Sequence, residues 1–392
     1  MKQLRVGIIG QGRSGADIHA KYLVTDPDYF KIVAVADPIA SRLEHAKKAY
    51  GYDSECLLTT DYRDLLKIKD LDLVVNASQS HLHAPISLEF LRAGFNVLCE
   101  KPMARTVAEV DAMAAAAKKA GRTLAVFQQS RFAPYFTQVK KVVDSGVLGR
   151  LVQVQIHFSG YARRWDWQMI DRLNAGGLRN TGPHPLDQAL RFLDFKGMPE
   201  VVCHLDLANS FGDADDFAKV LLKAPGRPLV EVEVSSCNAY SGFTYLVQGT
   251  RGGLKGSMKE IEWKYFDEKE APKRQLCEKP ISTPEGGPAY CSETLPWKEE
   301  KWTVPAEDAD LFKAISSRYY RMLHRTLTEG APLEVTVEQV RQQVAVTEEC
   351  HRQAALRRGN KPVFALPART AAKAKPKKAK KAAAKKAKKK KR

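Results

Sequence analysis

The chain has 392 residues, of which 44% are hydrophobic, so it can bury a sizeable core and is long for one ordinary domain. Its formal net charge of +18 is concentrated in residues 368–392, which contain 14 lysines and arginines and no acidic residue. The rest of the chain is therefore nearly neutral, which argues against a basic nucleic-acid-binding body, and no apolar run approaches the length of a membrane span.

Five short apolar runs rich in β-branched residues predict strands in the first 130 residues. Helical patterns lie between these runs, and the last one ends at a glycine. Strands that alternate with helices predict βαβ units and a parallel, doubly wound α/β sheet, whose buried strands are nearly all apolar. The predicted strands are 4–9, 31–36, 71–75, 95–99 and 123–127; the predicted helices are 14–24, 39–50, 61–66, 81–93 and 106–120.

The pattern changes after about residue 130, where strand-like runs predominate. They predict a mostly antiparallel sheet with one helix inserted. The expected strands are 151–158, 201–208, 217–223, 229–236, 243–249 and 260–266, and the expected helices are 134–144, 182–194, 307–328 and 336–357. Residues 270–305, rich in proline and glycine, are predicted to be irregular. The predicted division of the chain is residues 1–130, residues 131–367 and a disordered basic tail at 368–392.

The seven cysteines are scattered and never occur at C-x-x-C spacing. In a chain of this length they indicate reduced thiols, with neither a disulfide framework nor a metal site. The first residues pass directly into a glycine-interrupted strand pattern, which is unlike a signal peptide. We therefore expect a cytoplasmic protein.

A glycine motif, G-Q-G-R-S-G, follows the first predicted strand and opens the first helix. Its glycines are Gly10, Gly12 and Gly15, and Arg13 and Ser14 lie between the last two. Missing side chains let a pyrophosphate approach the backbone, and the helix N-terminus supplies free N–H donors and a partial positive charge. The motif in this context predicts dinucleotide binding.

Asp37 ends the second predicted strand, 22 residues after Gly15. This is the separation expected for the acid that hydrogen-bonds the adenosine ribose. A carboxylate there would repel a 2′-phosphate and favours NAD over NADP, although Arg42, five residues further on, could soften that preference.

The pentapeptide LCEKP occurs twice, at 98–102 and at 276–280. The first copy ends an apolar strand at the carboxyl edge of the predicted sheet, where ligands bind in such folds. A bound, positively charged nicotinamide would lower the pKa of Lys101 there, so that it could bind or deprotonate a substrate hydroxyl. The second copy has no strand before it, and Lys279 is predicted to lie in a surface loop.

Together these motifs resemble the glucose–fructose oxidoreductase / inositol dehydrogenase (Gfo/Idh/MocA) family. The resemblance covers about residues 1–367. It is carried by the segment from Gly10 to Asp37, S-x-x-x-x-H at 78–83, A-G-x-x-V-x-x-E-K-P at 93–102, R-F-x-P at 131–134, G-G-x-x-x-N-T-G-P-H-P-L-D at 176–187 and P-L-E-V-T-V-E at 332–338.

The resemblance implies an N-terminal Rossmann domain and a C-terminal α/β domain whose open, mostly antiparallel sheet forms a homodimer or homotetramer. It also implies reversible oxidation of a sugar or cyclitol hydroxyl. Within that family pattern, Lys101 would bind the reacting hydroxyl and His184 would be the acid–base catalyst. Glu100 would orient Lys101 or the cofactor ribose, and Ser78 and His83 would lie beside the cofactor.

Several residues have two interpretations each. The family often has aspartate where this chain has Asn180, an amide that can hydrogen-bond a substrate hydroxyl but cannot accept a proton at neutral pH. Asp187, one helical turn beyond His184, could orient its imidazole instead. His83 could touch cofactor or simply pack. Arg131 could bind substrate or pair across the domain junction, and Trp165 could wall the pocket or belong to a structural loop.

Three functions remain open from the sequence. The first is an NAD-dependent dehydrogenase acting on a sugar or polyol. The second is a redox-neutral, glycoside-cleaving enzyme that uses tightly held NAD. The third is a weakly active NAD-binding protein that its basic tail tethers to nucleic acid without sequence specificity.

Overall fold

The first part of the chain folds into a parallel six-stranded sheet in the computed structural model, which describes residues 2–240 and 242–359. The strand order is β3-β2-β1-β4-β5-β6, so the sheet is doubly wound as predicted. Most of its side chains are buried on both faces. The strands are β1 (Leu4–Ile9), β2 (Phe30–Ala36), β3 (Leu57–Thr59), β4 (Leu73–Asn76), β5 (Val97–Cys99) and β6 (Leu124–Val126).

Helical segments connect these strands. The first begins as a π-helical stretch, Gly15–Ala20, and continues as α1 (Lys21–Leu23); a 3₁₀ segment, Tyr62–Lys67, stands where a helix was predicted at 61–66. The others are α2 (Ala40–Tyr50), α3 (His83–Arg92) and α4 (Val107–Ala120). The last has a capping box of Thr106 and Glu109 and ends at Gly121 in the left-handed conformation.

The second sheet has eight strands in the order β14-β13-β12-β11-β7-β10-β9-β8. Its pairs are antiparallel except for the parallel pair β7–β10, so the prediction of an open, mostly antiparallel sheet is confirmed. Apolar side chains of α5 and α7 pack on one face. The elements are α5 (Pro134–Asp144), β7 (Leu151–Ser159), α6 (Gly177–Asn180), α7 (Pro183–Phe192), β8 (Glu200–Asp206), β9 (Phe217–Lys223), β10 (Leu229–Ser235), β11 (Tyr245–Gly249), β12 (Gly252–Gly256), β13 (Glu260–Tyr265) and β14 (Lys298–Thr303).

Three strands were not predicted. β3 has three residues and lies at a sheet edge, β12 contains three glycines, and β14 reads KEEKWT with four charged residues. These sequences lack the apolar alternation that marks a strand, and β14 lies in the stretch predicted to be irregular. These three segments form strands because each pairs through backbone hydrogen bonds with a neighbouring strand: β3 with β2, β12 with β13 and β14 with β13.

Two C-terminal helices, α8 (Leu311–Glu329) and α9 (Val337–Gly359), pack against both sheets. Tyr319 and Tyr320 of α8 are fully buried in the hydrophobic core of the first sheet. Tyr319 donates its hydroxyl hydrogen to the carbonyl of Val126 at 2.6 Å. Within residues 2–240 and 242–359, no helix combines the length and apolarity needed to cross a bilayer. The predicted tail, 368–392, lies outside the described residues, and the predicted boundaries at 130 and 367 stay predictions.

Candidate active site

The glycine turn after β1 has three different steric environments. Gly10 has φ +93°, and a Cβ there would lie 2.3 Å from the Ala77 carbonyl oxygen; a Cβ at Gly15 would lie 1.8 Å from the Gly10 oxygen. Both positions therefore require glycine, for the turn and for close helix–strand packing. A Cβ at Gly12 would meet no atom within 4 Å, so the backbone there faces open space that a ligand can approach.

Asp37 lies at the end of β2 beside this turn and is 2% exposed. Its Oδ2 accepts a hydrogen bond from the backbone N–H of Gln11 at 2.6 Å, and its Oδ1 accepts one from Ile39 at 2.9 Å. The Arg42 guanidinium lies 3.6 Å from Oδ2. The backbone therefore fixes the carboxylate next to the glycine turn, and each oxygen keeps a lone pair for a further donor.

The turn has the features that a dinucleotide requires. Gly12 leaves room for a pyrophosphate, Arg13 is exposed beside it, and half-buried Ser14 precedes the first helical segment. The buried Oε1 of Gln11 has no hydrogen-bond partner among the described residues. Ser78 approaches the same turn from the loop after β4, since a Cβ at Gly10 would lie 3.0 Å from its backbone nitrogen. These residues fit a bound NAD, with Asp37 placed for the ribose hydroxyls.

Lys101 follows β5 at the carboxyl edge of the parallel sheet, as the sequence predicted. Its Nζ donates to the backbone oxygen of Asn180 at 2.8 Å, a bond that joins the first sheet's edge to α6. Burial lowers the pKa of Lys101, and the charges of Arg13 and Arg164 lower it further, whereas Glu100 opposes them. This combination makes the ammonium a more acidic and therefore stronger hydrogen-bond donor.

The second LCEKP segment has a different environment. Leu98 of the first copy is fully buried, whereas Leu276 of the second is 93% exposed. Lys279 is exposed in a stretch that belongs to no strand or helix. Lys101 alone among the two lysines lies beside the glycine turn and its neighbouring loops.

Glu100 is 3% exposed and forms a buried chain of hydrogen bonds. Its Oε2 accepts from the backbone N–H of Lys101 at 2.9 Å, and its Oε1 lies 3.1 Å from Nε2 of His19. The other ring nitrogen of His19 lies 2.7 Å from the Tyr320 hydroxyl. Burial alone would raise the pKa of Glu100, but the hydrogen bond and charge of His19, with the charges of Lys101 and His83, lower it to about 2. Glu100 is therefore a carboxylate at neutral pH.

His184 lies at the first turn of α7, which begins with Pro183 and buries most of its residues. Its Nδ1 is 3.0 Å from the Ser130 hydroxyl oxygen, so Nε2 is the ring nitrogen that remains for a further partner. Burial lowers the pKa of His184 to about 3, together with the positive charge of Lys101. The imidazole is therefore neutral at neutral pH and lies close to Lys101.

Asn180 contributes its backbone and its side chain differently. The backbone oxygen binds Lys101, while the side-chain amide forms reciprocal hydrogen bonds of 3.3 Å with the amide of Gln168. Gln168 also accepts a hydrogen bond from Arg164. Amide groups therefore occupy the position where the family often has a carboxylate, and they can donate to a substrate hydroxyl as well as accept from one.

The structure does not place Asp187 against His184. Asp187 is 1% exposed, and both of its oxygens accept from the guanidinium of Arg131, at 2.9 Å from Nε to Oδ2. The imidazole of His184 bonds Ser130 instead. The hypothesis that Asp187 orients His184 fails because the planar fork of Arg131 takes both carboxylate oxygens. Arg131 likewise pairs at the junction, where it also donates to the backbone oxygen of Glu334 at 2.8 Å.

His83 and Trp165 lie apart from Lys101's immediate contacts. His83 is 2% exposed, and its ring nitrogens lie 2.7 Å from the Pro102 carbonyl and 3.0 Å from the Ser78 carbonyl. It thus ties together the loops after β4 and β5. Trp165 is 80% exposed in the loop before Gln168, where its indole is open to solvent.

Sequence analysis did not identify His19, Tyr320 and Ser130, which complete the environment of Lys101 and His184. Only His19 has a signal in the sequence, a histidine four residues after the last glycine of the motif. Tyr320 and Ser130 come from distant segments with no motif of their own. In residues 2–240 and 242–359, no group of three or more His, Cys, Asp or Glu side chains could hold a metal ion.

Comparisons with known proteins agree with this geometry. Residues 4–128 match an oxidoreductase family with an NAD-binding Rossmann fold, and residues 136–255 match the GFO/IDH/MocA C-terminal domain. The D-glucoside 3-dehydrogenase of Escherichia coli (strain K12) is 33% identical over 207 residues, 51% of this chain and 57% of that protein. The inositol 2-dehydrogenase of Salmonella typhimurium (strain LT2) is 32% identical over 152 residues, 38% of this chain and 44% of that protein.

The fold also matches a solved structure, that of the WlbA dehydrogenase from Bordetella pertussis in complex with NADH and UDP-GlcNAcA. The TM-score is 0.70 over 93% of this chain and 99% of that chain, at 21% identity, a likeness of fold alone. The doubly wound sheet, its glycine turn and the family matches define an NAD-binding oxidoreductase. The chain belongs to the GFO/IDH/MocA oxidoreductase family, as its motifs predicted.

The neutral state of His184 makes folding stability depend on pH. Its folded pKa of about 3 lies below the usual 6.5, so the unfolded chain binds a proton that the folded chain excludes between these values. This contribution to stability is present above pH 6.5 and is lost as the pH falls. Between about pH 7 and pH 5, the free energy of unfolding of the wild type should fall by about 2 kcal/mol more than that of His184→Gln.

Urea titrations of both proteins at each pH measure this difference. The matched control is His45→Gln, which changes an exposed histidine of α2 and should follow the wild-type curve. Equal losses of stability in the wild type and His184→Gln would contradict the neutral, buried state of this imidazole.

Proposed function

We propose that the protein is an NAD-dependent dehydrogenase that transfers a hydride between nicotinamide and a hydroxyl-bearing carbon of a sugar or cyclitol. The observation that carries the proposal is the arrangement of Lys101 and His184. Lys101 follows β5 beside the dinucleotide turn, His184 lies in the first turn of α7, and the charge of Lys101 acts on His184. A hydrogen-bond donor and a neutral base thus lie side by side next to a cofactor site.

Each side chain has a distinct role in this proposal. The Lys101 ammonium donates a hydrogen bond to the substrate oxygen and stabilises the charge that develops there. Nε2 of His184 accepts the hydroxyl proton, since Nδ1 bonds Ser130. NAD held by the glycine turn and Asp37 would supply the acceptor for the hydride of the substrate carbon. Burial is the main cause of the low pKa of His184, and the charge of Lys101 adds to it; once the substrate oxygen offsets that charge, the second cause weakens and the imidazole becomes a better base.

NAD rather than NADP is part of the proposal. The Asp37 carboxylate is fixed by two backbone N–H groups, so it cannot easily turn away from a 2′-phosphate. Arg42 approaches the same carboxylate to 3.6 Å and is half-exposed, so it remains near enough to reduce this repulsion. We therefore expect a preference for NAD, with measurable use of NADP.

The substrate class follows from the relatives' names and from the site. One relative is named for a glucoside and another for inositol. Here Lys101 binds the backbone oxygen of Asn180, whose side-chain amide pairs with that of Gln168, and paired amides suit the neighbouring hydroxyls of a sugar or cyclitol ring. We propose a small-molecule polyol as the substrate and a homo-oligomer as the working assembly. A cytoplasmic location stays a prediction.

The test is a screen of the purified full chain against aldoses, glycosides and inositols with NAD and with NADP, followed by the absorbance of the reduced cofactor. Reduction of NAD by at least one neutral polyol is expected. Cleavage of a glycoside without net cofactor reduction would favour the redox-neutral alternative. Cofactor binding without turnover of any substrate would favour the weakly active binding protein.

We also propose that residues 368–392 hold polyanions without sequence specificity, because they combine 14 basic residues with no acid and no aromatic residue. The full chain should retard duplex DNA at low salt, and retardation should vanish on truncation after Pro367 and at high salt. Unchanged retardation by the truncated chain would place nucleic-acid affinity in the body instead.

A further inference from the structure

His19 is a fully buried histidine that makes polar contacts on both sides of its ring. Its Nδ1 lies 2.7 Å from the Tyr320 hydroxyl and its Nε2 lies 3.1 Å from Oε1 of Glu100. The ring also packs on Phe127, with centroids 4.4 Å apart. These partners fix the ring in position, and Nε2 carries a hydrogen, since an ionised carboxylate can only accept a hydrogen bond.

The Glu100 carboxylate depends on few donors. Among residues 2–240 and 242–359, its recorded hydrogen-bond donors are Nε2 of His19 and the backbone N–H of Lys101. Glu100 is 3% exposed, and a buried carboxylate that loses a donor becomes protonated rather than remaining charged. Without His19, Glu100 would therefore tend to the neutral acid.

We propose that His19 is a positioning residue of the active site, which acts through Glu100 to hold Lys101 in the place and charge state needed for hydride transfer. Glu100 precedes Lys101 and binds its backbone N–H, so it fixes the end of β5 from which the lysine projects. The carboxylate also keeps the lysine protonated against burial and against the neighbouring arginines. The kinetic part of this inference rests on the proposed function.

The connection also reaches the cofactor turn. His19 lies in the helical segment Gly15–Ala20, which begins at the last glycine of the dinucleotide motif. Its bond to Glu100 joins this segment to the residue before Lys101. This hydrogen bond therefore fixes the position of Lys101 relative to the helical segment at the proposed pyrophosphate site.

Other charged and titratable groups face the two residues. Around Glu100 they are His19 from the first helical segment, Cys99 at the end of β5, Lys101, His83 from α3, His184 from α7, and Tyr319 and Tyr320 from α8. Around Lys101 they are Glu100, Arg13, Arg164, His83 and His184. If Glu100 loses its negative charge, the remaining charged neighbours of Lys101 are mostly positive, so the pKa of Lys101 must fall.

Two substitutions of His19 test the inference. His19→Phe keeps a ring but no donor, whereas the amide nitrogen of His19→Gln reaches about as far as Nε2 and can donate to Glu100. His19→Phe should lower kcat about 30-fold and move the alkaline limb of the kcat/KM pH profile down by about one pH unit, because Lys101 loses its proton earlier. His19→Gln should stay within about threefold of wild type, with the limb unmoved.

A control and a second readout separate positioning from packing. His324→Phe makes the same change at another buried histidine, one that lies 2.8 Å from the Lys2 carbonyl, and it should lower Tm without moving the pH profile. Carbon NMR of the Glu100 carboxyl group, assigned with Glu100→Gln in the cofactor-free protein, should show titration in the pH range of the alkaline limb in His19→Phe but not in wild type. An unshifted carboxyl signal in folded His19→Phe, or equal defects in both His19 variants, would overturn the inference, even if no polyol is oxidised.

Discussion

Replacement of Lys101 by methionine should lower kcat about 10³-fold, which corresponds to about 4 kcal/mol of transition-state stabilisation. Methionine keeps the length of the chain but removes the ammonium that donates to the substrate oxygen, and it also breaks the bond to the Asn180 carbonyl. Because the charge of Lys101 lowers the pKa of His184, the pKa of that imidazole should rise in the variant. Steady-state kinetics across pH, with the best substrate from the screen, measure both effects.

The chain supplies its own control for this experiment. Lys279→Met changes the same residue in the same pentapeptide at an exposed site and should leave kcat and KM within about twofold of wild type. NAD affinity, measured by fluorescence titration, should survive in both variants, because the glycine turn and Asp37 are untouched. A Lys101→Met enzyme with more than a tenth of wild-type kcat would remove the lysine from the proposed chemistry.

Arg131→Leu should destabilise the fold by about 3–5 kcal/mol, because it leaves the buried Asp187 carboxylate without its partner. The double variant Arg131→Leu, Asp187→Leu should recover part of that loss, since no unpaired charge then remains buried. Urea unfolding of the two single variants and the double variant gives the coupling free energy.

Arg341→Leu is the matched surface control. Its pair with Asp111 is also short, 2.6 Å, but both side chains are about half exposed, so its loss should change stability far less than the loss of the buried pair. The kinetics of a folded Asp187→Asn variant add a second criterion: a structural partner of Arg131 lowers Tm without changing the pH dependence of kcat. A changed pH profile at unchanged stability would restore the role for Asp187 that the sequence suggested.

The glycine turn, Asp37 and the first LCEKP segment could be identified from the sequence, because short-range contacts determine their surroundings. The glycines after β1 and Asp37 lie within one βαβ unit, where steric limits on a turn and the reach of a ribose permit few alternatives. The first LCEKP was assigned by the apolar strand before it, and its environment differs from that of the second copy as expected. In each case a motif and its immediate neighbours contain the information.

Residues paired over long separations could not be found in this way. Arg131 and Asp187 are 56 positions apart, and His19 and Tyr320 are 301 positions apart. Packing selects their partners. Helical periodicity alone placed Asp187 on the same face as His184, because it takes no account of the Arg131 guanidinium that binds the Asp187 carboxylate. β14 was missed for the same reason, since its charged sequence forms a strand through pairing with β13.

The insertion of α8 into the first core limits how this protein can be divided or assembled. Tyr319 and Tyr320 lie more than 300 residues along the chain, yet they pack into the core of a sheet whose last strand ends at Val126. Until ribosomal synthesis has passed Glu329, the nascent Rossmann unit exposes the surface that α8 will cover, so its final closure is post-translational or late co-translational. A cofactor module excised for a chimera must carry α8 with it, joined by a linker or supplied as a separate peptide.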